Sequence, residues 1–180
     1  INMLDLAGIP KLTSQRGEGD PFVVAGGPCA YNPEPLSDIV DFFMLGEGEE
    51  QILEVMEVYR QWKAQGMKRE EFLGLVSKVR GVYVPSFYDI NYNEDNTIKS
   101  IIPNRDGVPE KVKKRVIKDL NKAYFPDKIV VPFIDIVHDR IMLEIFRGCT
   151  RGCRFCQAGM IYRPVRKNCR RALVLSRKAC

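Results

Sequence analysis

An α/β chain that opens in a parallel sheet, turns to a hairpin and ends in a cysteine loop is predicted by three observations. Two short apolar runs, "PFVVAGGP" and "DFFMLGEGEE", stop at glycines as buried strands do. Helical periodicity follows, giving the strand, helix, strand, helix rhythm of a parallel sheet covered by helices. Beyond residue 80 the period changes: "GVYVPSFYDINY" and "TIKSIIP" flank the turn-forming "NEDN", which predicts a hairpin outside the parallel sheet.

The elements follow in order. Between the first two strands, "NPEPLSDIVD" is expected to be a helix with its prolines in the first turn and Asn32 as cap. "EQILEVMEVYRQWKAQG" places Ile52, Val55, Met56 and Tyr59 at helical spacing and closes on Gly66. A further helix is expected from Arg69 to about Val79, with Phe72, Leu73 and Val76 on one face. Residues 109–127 are charged, with uneven apolar spacing and proline near both ends. That composition suits a solvated linker, or an RNA-contacting strip that lacks interleaved aromatics for base stacking. "RIMLEIFRG" predicts one more apolar strand, leading straight into the cysteines.

Charge and cysteine usage narrow the function classes. The net charge is +5 over 180 residues, but Arg163, Arg166, Lys167, Arg170, Arg171, Arg177 and Lys178 supply seven positives against no acid, leaving −2 for everything before them. A basic surface is therefore a property of the tail, and the body has no nucleic-acid footprint of its own. No apolar run has the length to span a bilayer and no signal segment opens the chain, so a soluble cytoplasmic protein with no membrane partner is expected. Of six cysteines only Cys29 lies in the first half. That distribution favours metal ligation over the disulfide framework of a small secreted domain.

Cys149, Cys153 and Cys156 lie in "RGCTRGCRFCQAG" at C-x3-C-x2-C spacing, so one loop offers three soft donors to one compact centre. Zinc sites usually close with four ligands. Three thiolates instead suit a 4Fe-4S cluster with one iron left open for a small molecule. Gly148 and Gly152 would let the backbone wrap the cluster, Arg147, Arg151 and Arg154 would offset its charge, and Phe155 would shield it from water. The alternatives are a zinc knuckle completed by Cys169 or His138, and thiols that are unligated or disulfide-linked. Glu144, before the loop, is either a site residue or a surface one.

The triad, with Phe155 directly before its third cysteine, resembles the CxxxCx(aromatic)C motif of the radical S-adenosylmethionine superfamily. "AGGPCAYNPEPLSDIVDFFMLGEGEE", the hairpin region, "DIVHDR" and "LEIFRGCTRGCRFCQAGMIYRPVR" together resemble an uncharacterised bacterial family that joins a cobalamin-binding-type domain to a radical S-adenosylmethionine domain. The resemblance implies a 4Fe-4S cluster on Cys149, Cys153 and Cys156 whose open iron chelates S-adenosyl-L-methionine. It also implies an external electron donor and reductive cleavage of the sulfonium to a 5'-deoxyadenosyl radical, acting on a substrate the sequence does not identify. Gly26 and Gly27 match the glycines that admit a corrinoid's nucleotide tail, and "GEGE" from Gly46 matches the loop ending such a domain. The cobalamin ligand motif Asp-x-His-x-x-Gly is absent, His138 being the sole histidine, so bound cobalamin stays open.

The fold expected from the resemblance is α/β throughout: residues 1–80 the C-terminal part of a Rossmann-like cobalamin-binding-type domain, 81–139 a hairpin and charged linker, 140–166 the first strand and cluster loop of an incomplete radical S-adenosylmethionine barrel, and 167–180 a divergent basic tail. The opening Ile1 and the 24 residues after Cys156 lead to the expectation of a fragment or frame-shifted product that turns over poorly alone. A non-catalytic zinc- or iron-sulfur-binding module, its basic tail touching nucleic acid, is the competing expectation.

Overall fold

The structure is a computed structural model that describes residues 1–124, 126, 130, 132–135, 137 and 144–168, and it divides into two compact units, Ile1–Val116 and Ile117–Cys180. The first unit opens with a short helix, α1 (Asn2–Leu6), and is built on a three-stranded sheet of β1 (Val24–Gly26), β2 (Phe42–Met44) and β3 (Val82–Tyr83), in that spatial order. β1 and β2 are parallel, with Val24 opposite Phe42 and Gly26 opposite Met44, as the glycine-terminated runs led one to expect. β3 is antiparallel to β2. "GVYV" therefore belongs to the main sheet, and only the later part of that run enters a hairpin.

Two helices cover the sheet. α2 (Gly48–Gln65) ends where Gly66 takes the left-handed conformation, its N–H bonding to Lys63 O and that of Met67 to Trp62 O. α3 (Arg69–Val76) starts where the Lys68 N–H donates to the Glu71 carboxylate at 2.7 Å. Phe72 and Val76 of α3 are buried as their spacing required, and Phe72 centres an aromatic cluster with Phe22 at 4.3 Å, Trp62 at 5.5 Å, Tyr59 at 5.8 Å and Phe42 at 5.9 Å. Full burial of a phenylalanine ring, as at Phe42 and Phe72, contributes about 1.5–3 kcal/mol. On α2 the expected face is only half right: Val55 is buried, but Ile52 and Met56 stay exposed, and the buried partner in the first turn is Gln51.

The helix predicted over 32–41 does not form; residues 28–37 follow another course. They make two 3-10 turns, Pro28–Tyr31 and Glu34–Leu36, and Asn32 closes the first instead of capping a helix. Pro33 and Pro35 disfavour the α conformation at the residues before them, Asn32 and Glu34, which works against a continuous helix here. The turns place Glu34 against Tyr83, whose hydroxyl donates to it at 2.7 Å. Burial first, and this hydrogen bond second, raise the Tyr83 pKa far above the usual phenol value.

The hairpin of β4 (Tyr88–Tyr92) and β5 (Ile98–Pro103) is antiparallel, with a register shift beside Asn91 and Tyr92. The charged stretch after it is tethered, not free. Arg115 pairs with Glu50 at 2.9 Å and Glu54 at 2.7 Å on α2, and its backbone forms a parallel bridge with Gly46. A side chain at Gly46, where φ is +112°, would overlap the Arg115 backbone. Close chain approach explains this glycine without a cofactor.

A charged network ties residues 10–23 to the sheet. Asp41 takes Arg16 at 2.7 Å, Arg69 at 2.9 Å and the Val23 N–H at 2.7 Å, the Arg16 and Asp41 side chains being 0% and 3% exposed. Arg16 also donates to the carbonyls of Pro10, Lys11 and Ile39, so its charge is enclosed by acceptors.

In the second unit, β6 (Phe146–Arg147) pairs antiparallel with β7 (Arg166–Lys167), and the short helix α4 (Ala158–Ile161) lies between them. Among the described residues there is no barrel. Arg140 to Leu143, the start of the expected apolar strand, lies outside the described residues, as do His138, Cys169 and the tail from there on. Order extends past Arg166: buried Asn168 bonds Ile145 O through its N–H at 2.8 Å and Leu120 O through its side chain at 2.9 Å.

Candidate metal centre

The β6–β7 ladder closes a loop at its neck. Phe146 faces Lys167 and Arg147 faces Arg166, so residues 148–165 leave and return at one point with all three motif cysteines between. Gly148 sits at that neck with φ +101°, where a Cβ would lie 2.7 Å from Tyr162 O and 3.0 Å from Val165 Cα. Its bare backbone therefore lets the two ends of the loop pass each other. Gly152, by contrast, has open space around it.

Cys149, Cys153 and Cys156 are free thiols, the first half-buried and the others exposed. The Cys156 N–H bonds Cys153 O at 3.2 Å, a tight turn over the second spacing of the motif. Arg163 donates to Cys149 O at 3.5 Å across the loop. Even so, among the described residues no group of three or more His, Cys, Asp or Glu side chains is gathered as a metal cage. The donor set suits a soft metal and is not crosslinked; its sulfurs are carried by one closed loop without converging in this geometry.

The neighbours differ from expectation. Arg147 is held by both Glu144 oxygens at 2.8 Å, so its charge is already matched, and Glu144 acts as its partner. Arg151 and Arg154 are exposed beside the thiols. Phe155 is 93% exposed and shields nothing here. Arg166 donates to Ile117 O at 2.7 Å and Pro164 O at 3.0 Å, which makes it part of the fold. The Glu144–Arg147 pair was missed from sequence because on the expected strand side chains three apart fall on opposite faces, so its spacing gave no signal.

Gly26 and Gly27 stand at the exposed end of β1. A Cβ on Gly26 would make only ordinary contacts with Met44, and one on Gly27 would meet open space. No cradle requires their smallness, although φ of +91° at Gly27 favours glycine there. The protein's own packing thus leaves the space beside both glycines open, and no step is routed through cobalamin.

An α/β unit followed in sequence by a closed loop carrying three free thiols defines the class of chain. Residues 1–85 match the family described as "Radical SAM proteins, N-terminal", which relates the chain to radical S-adenosylmethionine proteins through its first unit, outside the cysteine loop. The chain is 33% identical over 146 residues to the uncharacterized protein MJ0966 of Methanocaldococcus jannaschii, covering 79% of this chain and 24% of that protein. The chain thus spans about a quarter of the length of the curated relative it matches. No solved structure matches. No helix among the described residues is long and apolar enough to cross a membrane.

Proposed function

We propose that the chain is the scaffold and ligand-bearing part of a radical S-adenosylmethionine enzyme, with Cys149, Cys153 and Cys156 as the ligands of a 4Fe-4S cluster. The observation that carries this is three uncrosslinked thiols on one loop closed by β6 and β7. The match of residues 1–85 supports it independently. Bound there, the cluster would pass one electron to S-adenosyl-L-methionine at an open iron, giving methionine and the 5'-deoxyadenosyl radical.

The protein groups then hold and position. Each thiol loses its proton on ligation, and the charge this creates lies beside the exposed Arg151 and Arg154, with Arg147 already neutralised by Glu144. Gathering the three sulfurs requires residues 149–156 to curl inward while the β6–β7 neck stays closed. Phe155, next to the third ligand, is then brought over the cluster and loses exposure. Among the described residues there is no barrel to enclose the reactants, so this chain alone is expected to cleave S-adenosylmethionine slowly.

Incubation of the anaerobically reconstituted chain with S-adenosylmethionine and dithionite tests this. Slow formation of 5'-deoxyadenosine, abolished by Cys153→Ala, is expected. Product formed equally by the wild type and Cys153→Ala would contradict the ligand assignment, and rapid multiple turnover would contradict the need for further structure.

A further inference from the structure

Cys153, Arg154, Phe155 and Cys156 make one tight turn. The Cys156 N–H donates to Cys153 O at 3.2 Å, the hydrogen bond that joins the first and fourth residues of a β-turn. A turn closed in this way brings its end Cα atoms within about 7 Å, and two cysteines can bridge when those atoms are roughly 4.4–6.8 Å apart. Both thiols are exposed and uncrosslinked. The two residues between them are open to solvent as well, Phe155 being 93% exposed.

Cys149 stands apart from this pair. It is half-buried and follows Gly148, where a Cβ would lie 2.7 Å from Tyr162 O, and its carbonyl accepts from Arg163 across the loop. Its backbone is thus held against residues 162–165 while the other two cysteines close a four-residue turn. Of the three pairs the motif allows, the turn favours Cys153 with Cys156.

We propose that Cys153 and Cys156 form a reversible disulfide when the loop holds no metal, and that this crosslink gates metal ligation. The oxidant is a low-molecular-weight disulfide. One cysteine sulfur attacks it, forming a mixed disulfide and releasing one small thiol. The second cysteine sulfur then attacks the first, forming the Cys153–Cys156 bond and releasing the other small thiol. Two electrons and two protons leave the protein with those thiols. A metal takes its sulfur ligands as thiolates, so the crosslink withdraws two of the three donors and leaves Cys149 alone. The crosslink itself stands on the turn; its effect on the metal rests on the ligand assignment proposed above.

The test incubates the metal-free 180-residue chain with oxidised glutathione, blocks remaining thiols with iodoacetamide and digests with trypsin, which cuts after Arg151 and Arg154 and so puts each motif cysteine on its own peptide. Mass spectrometry should find the Cys153 and Cys156 peptides joined and Cys149 alkylated. In Cys153→Ser the joined species should vanish and Cys156 should carry glutathione. A second readout uses cobalt(II) alone, because the sulfide needed for cluster assembly would itself reduce a disulfide. Thiolate-to-cobalt absorbance is expected from the reduced chain, is expected to be lost from the oxidised one, and should return after phosphine reduction. Predominant links through Cys149, Cys169 or Cys180, or stable glutathione adducts on both Cys153 and Cys156, would overturn the proposal. Equal cobalt absorbance from the oxidised and reduced chains would overturn the gate. Iron and sulfide assembly by the reduced chain tests the ligand assignment separately, so failure of that reading leaves the mapped crosslink standing.

Discussion

Replacing Asp41 by alanine removes the only carboxylate shared by Arg16 and Arg69 in the first unit's buried network. Arg16 has no exposed side-chain surface, so its charge cannot relax into water when the partner is lost. Breaking a buried pair this way costs about 3–5 kcal/mol. The Val23 N–H, which now donates to Asp41 at 2.7 Å, is left without that acceptor as well. Against a domain stability of about 5–15 kcal/mol this is a large fraction. With a urea slope of about 2 kcal/mol per molar, the midpoint should fall by roughly 2 M. Trp62 fluorescence follows the transition, and Glu57→Gln is the control, because the Arg60–Glu57 pair at 3.4 Å is 72% and 56% exposed. That control should leave the midpoint in place. A fall below about 0.5 M for Asp41→Ala would refute the claim that the network pins residues 10–23 to the sheet.

Other outcomes follow from the same geometry. Gly46→Ala should destabilise the first unit by about 2 kcal/mol or more, from a φ of +112° and overlap with the Arg115 backbone, and should increase proteolysis between residues 104 and 116. Tyr83 has a folded pKa raised above its unfolded value, so its contribution is fully present below about pH 10 and is lost as pH rises beyond that. Alkaline unfolding monitored by circular dichroism should therefore be less steep in Tyr83→Phe than in the wild type. The same substitution leaves Glu34 Oε1 without its phenol donor beside the already unpartnered Oε2, costing about 1–3 kcal/mol near neutral pH in urea unfolding. Phe155→Ser should not lower the stability of the cluster-free chain, the ring being exposed, but should speed loss of the 400 nm region absorbance in the reconstituted chain.

Local signals made the helices legible. Gly66 and the Phe72 and Val76 spacing encode α2 and α3 within a few residues of themselves, and the glycines after β1 and β2 encode the parallel pair. The stretch at 32–41 misled because its prolines suit a first helical turn, yet each also disfavours the α conformation in the residue before it. β3 was hidden in the hairpin because two residues of strand carry no period. The Arg16–Asp41–Arg69 network joins positions 25 and 28 residues apart, and no local pattern announces it. Gly46 illustrates a signal with two causes: it resembled part of a cofactor loop, and the contact with Arg115 accounts for it. At the candidate centre the donor chemistry was legible from spacing, whereas the neck formed by Phe146–Arg147 and Arg166–Lys167 depends on pairing across the loop.

The most direct measurement is iron, sulfide and zinc per chain after oxygen-free reconstitution, compared between the wild type and a variant with Cys149, Cys153 and Cys156 all changed to alanine. The account predicts about four irons and four sulfides on the wild type and background levels on the variant. One zinc per chain with no sulfide, or iron and sulfide retained by the variant, would contradict it.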